Sequence, residues 1–206
     1  MFGIQLEQIG RRFNSDWIFR QVDFSFASGT RYAVLGPNGS GKSTLLKVIS
    51  GSLTPSEGAL KYTLLNKELP VESVYRHLTI AAPYLELIEE FSLREMIRFH
   101  FKNKTYLNGF DEDRVIDRIS LESSLDKPLR FFSSGMKQRV KLALACCAQS
   151  HLLLLDEPIS NLDVKSVDWY HQLLADTAGD RLLIIFSNQE EEYKSCEVTL
   201  NLGAFT

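Results

Sequence analysis

Cysteine is scarce and odd in number: Cys146, Cys147 and Cys196 are the three in 206 residues. Two of them are neighbours inside an apolar helical stretch, so buried thiols are expected and a disulfide framework is not. The four histidines (His77, His100, His151, His171) stand at no ligand spacing to the cysteines or to one another, which argues against a zinc or redox centre. No apolar run approaches the ~20 residues that cross a bilayer, and the first residues lack the basic-then-apolar order of a signal peptide. A soluble, cytosolic chain is the expectation. Neither sign of charge dominates: 23 Lys and Arg face 26 Asp and Glu, for a net charge of -3 without a basic block. Nucleic acid is therefore not an expected partner. Internal repeats, low-complexity tracts and long linkers are also missing, and the length suits one α/β domain spanning 1–206 better than two.

What is present is concentrated in nine residues, Gly36-Pro37-Asn38-Gly39-Ser40-Gly41-Lys42-Ser43-Thr44, which satisfy the pattern G-x-x-x-x-G-K-[ST]. A polyanionic phosphate tail must be wrapped by backbone N–H groups with no side chains in the way, and glycines at 36, 39 and 41 permit that approach. The apolar run Tyr32 to Leu35 reads as a buried strand feeding this loop. Ser43 to Ile49 reads as the helix that follows, its N-terminus facing the phosphates. Lys42 would reach the terminal phosphates as a mobile cation, and the Ser43 hydroxyl would ligate Mg2+. The pattern points to a nucleoside triphosphate, with ATP and Mg2+ the expected ligands.

Strand-like segments are expected near Ile4 to Ile9, Val22 to Phe26, Arg31 to Leu35, Leu60 to Leu65, His77 to Ala82, Leu152 to Asp156, Arg181 to Ser187 and Glu197 to Leu202. The early strands crowd together and the later ones alternate with helices. This predicts an α/β fold, a P-loop NTPase core whose mixed sheet carries an antiparallel edge subdomain beside parallel strands. Between them, Leu93, Met96, Ile97 and Phe101 recur at helical spacing, followed by Val115, Ile116 and Ile119. Residues 91–129 are thus expected to form an inserted helical subdomain.

Leu152-Leu153-Leu154-Leu155 runs into Asp156-Glu157-Pro158. Alternation along a strand sends the two carboxylates in different directions, which implies different tasks. Asp156 would hold Mg2+, directly or through water, and Glu157 would polarise the water that attacks the terminal phosphate. A strand ending on solvated acids is the plain alternative; coexistence with Lys42 and Ser43 argues against it.

Phosphate loop, Phe132-Ser133-Ser134-Gly135-Met136-Lys137-Gln138-Arg139, Leu-rich strand with Asp156-Glu157-Pro158, and Ser160-Asn161-Leu162-Asp163 occur in that order. The ordered set, covering Ile4 to Leu202, resembles the ATPase subunits of ABC transporters. The resemblance implies a head-to-tail dimer, with a second copy or a homologous ATPase subunit, in which the signature loop of one chain closes on ATP held by the other. Ser133, Ser134, Gly135 and Met136 would then meet nucleotide in trans, and the helix from Met136 to Gln149 would aim its N-terminal partial charge at the γ-phosphate. It further implies that Ser160 and Asp163 couple the two sites and that Phe13 stacks on adenine, with Trp17 as the other candidate and a core role open for either. A separate transmembrane permease subunit would hold the chain on the inner face of the membrane, docking on Tyr84, Leu85, Leu87, Ile88 and Phe91, although those residues read equally well as core.

The sequence departs from the family pattern in the signature and at two single positions. Phe132, Ser134 and Met136 replace the usual Leu, Gly and Gln of the signature, and a Ser at 134 adds a Cβ where the backbone is expected to need freedom. Pro83 stands where a γ-phosphate-sensing glutamine is usual, and Asn188 where a histidine is usual. Asn188 can donate a hydrogen bond as a catalytic group, but it carries neither proton nor charge. Losing a charged donor there is expected to add roughly 2 to 4 kcal/mol to the barrier. Slow hydrolysis by Lys42, Glu157 and Asn188 is thus the expected activity, with an ATP-binding switch or a degenerate subunit as the alternative. Tandem-site translation factors and coiled-coil chromosome ATPases fit poorly, because the chain has neither a second site nor a coiled coil. Substrate and direction of transport are not legible in it.

Overall fold

The computed structural model describes residues 1–205. In chain order the elements are β1 (Phe2–Phe13), β2 (Asp16–Ala27), β3 (Arg31–Leu35), α1 (Lys42–Ile49), β4 (Glu57–Leu64), β5 (Lys67–Leu69), β6 (Leu78–Ala81), α2 (Leu93–Asn103) and α3 (Glu112–Ile119). After these come α4 (Ser134–Cys146), β7 (Leu152–Asp156), α5 (Val164–Thr177), β8 (Leu182–Ser187), α6 (Glu190–Tyr193) and β9 (Val198–Asn201). They divide into two compact units, one made of residues 1–78, 151–157 and 180–205, the other of 79–150 and 158–179.

The first unit holds both kinds of pairing that the strand pattern predicts, as two sheets rather than one continuous sheet. An antiparallel sheet has the order β2-β1-β4-β5. Phe2, Ile4 and Leu6 alternate inward along β1, as a half-buried strand requires. The register then slips between Leu6 and Ile9, where Gln8 takes a positive φ of 50° and its N–H donates to Asp23 Oδ1 at 2.7 Å. This bulge returns Ile9 to the buried face. β5, a three-residue strand absent from the expected set, comes after β4 through Leu65 and Asn66 at φ 51° and 62°, the conformation that suits a tight hairpin.

The other strands of this unit run parallel in the order β7-β8-β3-β9. Leu152 to Asp156 and Leu182 to Ser187 are buried at every residue, as strands covered on both faces must be. Their register sets where the connecting loops emerge. Leu35 lies opposite Ser187, and Asp156 opposite Phe186, so the carboxyl ends of β3, β7 and β8 are level. The loops leaving them share one edge, the usual location of a ligand in parallel α/β sheets.

The second unit is helical. Its α2 opens with a reciprocal cap, the Ser92 hydroxyl accepting from Glu95 N–H while the Glu95 carboxylate accepts from Ser92 N–H. α3 starts on Asp111, whose carboxylate accepts from Arg114 N–H at 2.9 Å. Leu93, Met96, Ile97, Val115, Ile116 and Ile119 are all buried, as their helical spacing predicts. α4 packs on α2, α3 and α5, which extends the helical unit beyond the 91–129 block. Cys146 and Cys147 are buried and Cys196 is half-buried; none of the three is in a disulfide.

Candidate functional site

Gly36 to Gly41 joins β3 to α1. Gly41 takes φ +90°, and a Cβ there would lie 2.4 Å from Ile18 Cγ2 and 3.0 Å from Phe19 Cδ1. Only glycine fits, in space and in backbone angle. α1 then begins with no side-chain cap and no acid in its first turn. Its first N–H groups and the positive end of its dipole are therefore left to serve an anion.

Lys42 is buried at 6% exposure, and its ammonium curls back to donate to Gly36 O at 2.8 Å and Pro37 O at 3.2 Å. Two of its three hydrogens pin the loop, which leaves one for a phosphate oxygen. Ser43 Oγ donates to Asp156 Oδ2 at 2.7 Å across 113 residues of sequence. Burial holds the Asp156 carboxyl above its ordinary pKa, while the Ser43 hydrogen bond works in the opposite direction.

Asp156 Oδ1 and Ser40 Oγ are buried without any hydrogen-bond partner. A buried carboxylate oxygen left unsatisfied is costly unless a ligand meets it. With the Ser43 hydroxyl beside it, the donor set is two hard oxygens, a chemistry that would suit Mg2+. Among the described residues no group of three or more His, Cys, Asp and Glu offers an all-protein metal site.

Glu157 is half-buried and carries φ +43°. A non-glycine residue in the left-handed region costs on the order of 1 kcal/mol and persists where neighbours enforce it; here its N–H donates to Phe186 O at 2.9 Å. The kink brings Glu157 into a cleft of about 290 Å3 lined also by Ile18, Asn38, Gly39, Lys42, Ser43 and Thr44. Asn188, after β8, donates from Nδ2 to Asn38 Oδ1 at 3.1 Å. Lys42, Ser43, Asp156, Glu157 and Asn188 are thus gathered at the level strand ends. Ile18 and the Asn38–Asn188 bond are absent from the sequence-based expectations: one residue of the apolar run Trp17-Ile18-Phe19 and a contact across 150 positions leave no local signal.

Phe13 does not line this cleft. It is 47% exposed, with the Arg11 guanidinium 4.6 Å from its ring centroid. Trp17 is flanked by Arg20 at 4.2 Å and Arg12 at 5.5 Å.

In the second unit, Ser133 caps α4, its hydroxyl accepting from Met136 N–H at 3.2 Å, and is exposed. Ser134 is the first helical residue and has no positive φ, so its Cβ is accommodated. The expected strain at 134 falls away; the constraint lies one residue on. A Cβ at Gly135 would stand 2.8 Å from Asn161 O. Gln138, 2% exposed, donates to Pro158 O at 2.8 Å, tying α4 to the turn that carries Ser160. Ser160 Oγ is buried without a partner, and Asp163 caps α5 by accepting from Ser166 N–H at 2.8 Å. Hydrogen bonding to Ser166 holds the Asp163 carboxyl below its ordinary pKa. After β6, Ala82 O and Pro83 O both accept from Lys141 Nζ at 3.3 Å.

A glycine-rich loop between a parallel strand and a helix, with a buried hydroxyl–carboxylate pair at its end, defines a P-loop nucleotide-binding fold. The chain belongs to the ABC transporter family: that family's model matches residues 19–160. Phe13, Asp163 and Asn188 lie outside the matched stretch. The chain is 31% identical over 206 residues to the vitamin B12 import ATP-binding protein BtuD of Vibrio vulnificus, covering 90% of this chain and 80% of that one. It is 34% identical to the sulfate/thiosulfate import ATP-binding protein CysA of Thermosynechococcus vestitus, across 79% of this chain and 49% of that protein. A putative ABC transporter ATP-binding protein from Pyrococcus furiosus has the same fold, with TM-score 0.82, 21% identity and 99% coverage of both chains. A dimeric bacterial ABC transporter cassette aligns at TM-score 0.79 and 20% identity, over 97% of this chain and 95% of that one. Among the described residues, no helix is long and apolar enough to cross a membrane.

Proposed function

We propose that this chain binds ATP, hydrolyses it slowly, and so powers a separate membrane permease. The observation that carries the reading is the Ser43–Asp156 hydrogen bond with the unsatisfied Asp156 Oδ1 beside it, since this pair has the chemistry to hold Mg2+ next to a phosphate-binding loop. We read the whole chain as one nucleotide-binding domain. The Gly36 to Thr44 backbone and the remaining Lys42 hydrogen bind the phosphate tail, and Phe13 supplies a ring face for adenine. Ser43 and Asp156 would hold Mg2+, which would supply positive charge beside the phosphate tail. Glu157 orients the attacking water and accepts its proton as the new P–O bond forms and the bond to the ADP oxygen breaks. Asn188 donates a hydrogen bond to the γ-phosphate.

Exposed Ser133 and the α4 N-terminus suit contact with nucleotide held by a second copy or a homologous subunit, with Ser160 and Asp163 linking the two sites. The exposed Tyr84 and Leu85, with Leu87, Ile88 and Phe91 nearby in sequence, offer the permease an apolar surface, which would place the chain at the inner membrane face. Pro83 and Asn188 favour a second reading, an ATP-binding switch or a degenerate subunit, because neither supplies charge to the transition state.

Steady-state phosphate release with Mg2+ and ATP, beside Lys42→Ala and Glu157→Gln, tests the choice. Release should fall at least about 100-fold in both variants, with Glu157→Gln accumulating as an ATP-bound dimer. Equal, near-zero release from all three, with ATP still bound by the unmodified chain, would favour the switch.

A further inference from the structure

The turn after β8 carries hydrogen bonds that ATP hydrolysis as proposed leaves unused. Ser187 is fully buried; its Oγ accepts from Gln189 N–H at 2.8 Å and donates to the Glu192 carboxylate. Glu192, on α6, is only 1% exposed. A carboxylate is withdrawn from water at great expense unless hydrogen bonds satisfy it, and one that is satisfied binds its donor strongly. The Ser187–Glu192 pair therefore fixes the turn from its buried side. Asn188, at the exposed tip of that turn, donates Nδ2 to Asn38 Oδ1. Asn38 belongs to the phosphate loop and lines its cleft. An amide nitrogen carries two hydrogens. Asn38 takes one, which sets the nitrogen rather than the oxygen of Asn188 toward the loop and leaves a second N–H available.

We propose that Ser187 and Glu192 are positioning residues for Asn188, and that Asn38 orients the Asn188 amide so that its second N–H meets the terminal phosphate of a bound nucleoside triphosphate. This rests on the proposed nucleotide-binding function. A nucleoside diphosphate lacks that phosphate yet meets the same loop, Lys42 and Ser43. The array therefore discriminates triphosphate from diphosphate without setting overall nucleotide affinity.

The test is calorimetric titration of the full chain with Mg2+-ATP and, separately, Mg2+-ADP, with thermal unfolding of every variant. Asn188→Ala should weaken ATP about tenfold, the scale of one hydrogen bond to a charged group, and leave ADP within about twofold. Ser187→Ala should weaken ATP about threefold to tenfold, and the double variant should be no weaker than Asn188→Ala alone. Glu192→Gln keeps an acceptor for Ser187 and should stay within about threefold of the unmodified chain. If Ser187→Ala does not fold, Asn38→Ala takes its place in the same cycle. Effects that multiply, or ATP and ADP weakening together, would overturn the positioning role. An unmodified chain that binds neither nucleotide, and so matches Lys42→Ala, would overturn the nucleotide reading and with it this proposal.

Discussion

The phosphate loop and the signature loop use similar small polar residues in opposite ways. At the first, Lys42 pins Gly36 and Pro37, and Ser43 is bonded to Asp156, so charged and hydroxyl groups are locked to one another in a largely buried setting. At the second, Ser133 caps α4 from an exposed position, as Asp163 caps α5 at the end of the separate Ser160 to Asp163 segment. The difference separates chemistry that the chain assembles within itself from surfaces whose side chains organise helix ends. Substitutions at the first should damage nucleotide binding out of proportion to stability. At the second they should cost stability as well, and leave binding of a single nucleotide intact.

The two tight glycines break the comparison most severely. Gly41→Ala places a methyl against Ile18 and the fully buried Phe19 at a backbone angle that alanine rarely takes. We expect loss of ATP binding in titration, together with about 1 to 3 kcal/mol of lost stability in denaturant unfolding. Gly135→Ala meets a backbone carbonyl, Asn161 O, which cannot swing aside as a side chain can. It should destabilise by a similar amount while ATP affinity stays within about twofold, because the variant leaves the phosphate loop untouched. Equal loss of ATP affinity in both variants would erase the distinction.

Ser133→Ala sharpens it. Removing an N-cap hydroxyl costs typically about 1 kcal/mol, and here the Met136 N–H would lose its acceptor. Unfolding should show that loss, and ATP titration no change. Phosphate release should fall only under conditions where the chain dimerises, so measuring release against protein concentration separates the capping role from the proposed contact in trans.

Legibility in the sequence divides along the same line. The phosphate loop and the Leu152–Asp156 strand are legible because their chemistry is local: glycines at fixed spacing, a strand feeding a helix, acids at a strand end. All eight expected strands are present, since period-two burial and apolar runs are local as well. The bulge at Gln8 is not legible, because a register slip shows only when the partner strand is in place. Nor is β5, whose three residues carry no periodicity. Ser134 reads as strained against a glycine pattern; with the helix starting there, the steric demand moves to Gly135, whose neighbour Asn161 is remote in sequence. The Asn38–Asn188 bond depends on Leu35 and Ser187 ending level, a fact of sheet register that motif spacing does not contain.

The smallest effect concerns an ion pair of the helical unit that belongs to neither loop. Arg98 donates to both Glu112 oxygens at 2.9 Å on the surface of the helical unit, and Arg94 stands 3.5 Å from the same carboxylate. The Arg98 hydrogen bond is the main reason the Glu112 carboxyl titrates below its ordinary range. A folded pKa below the unfolded one means that the stabilisation is fully present above the ordinary carboxylate pKa and is lost as pH falls through the folded value. Arg98→Ala should therefore lower the unfolding midpoint slightly at about pH 7, by less than Ser133→Ala, because the Arg98 side chain is 61% exposed and water screens the pair. The two midpoints, Arg98→Ala and unmodified, should converge below about pH 4 as Glu112 protonates, and salt near about 0.5 M should narrow the gap at neutral pH as well. ATP affinity should not move. A gap that persists in acid and in salt would mean that Arg98 contributes through its packed stem rather than its charge.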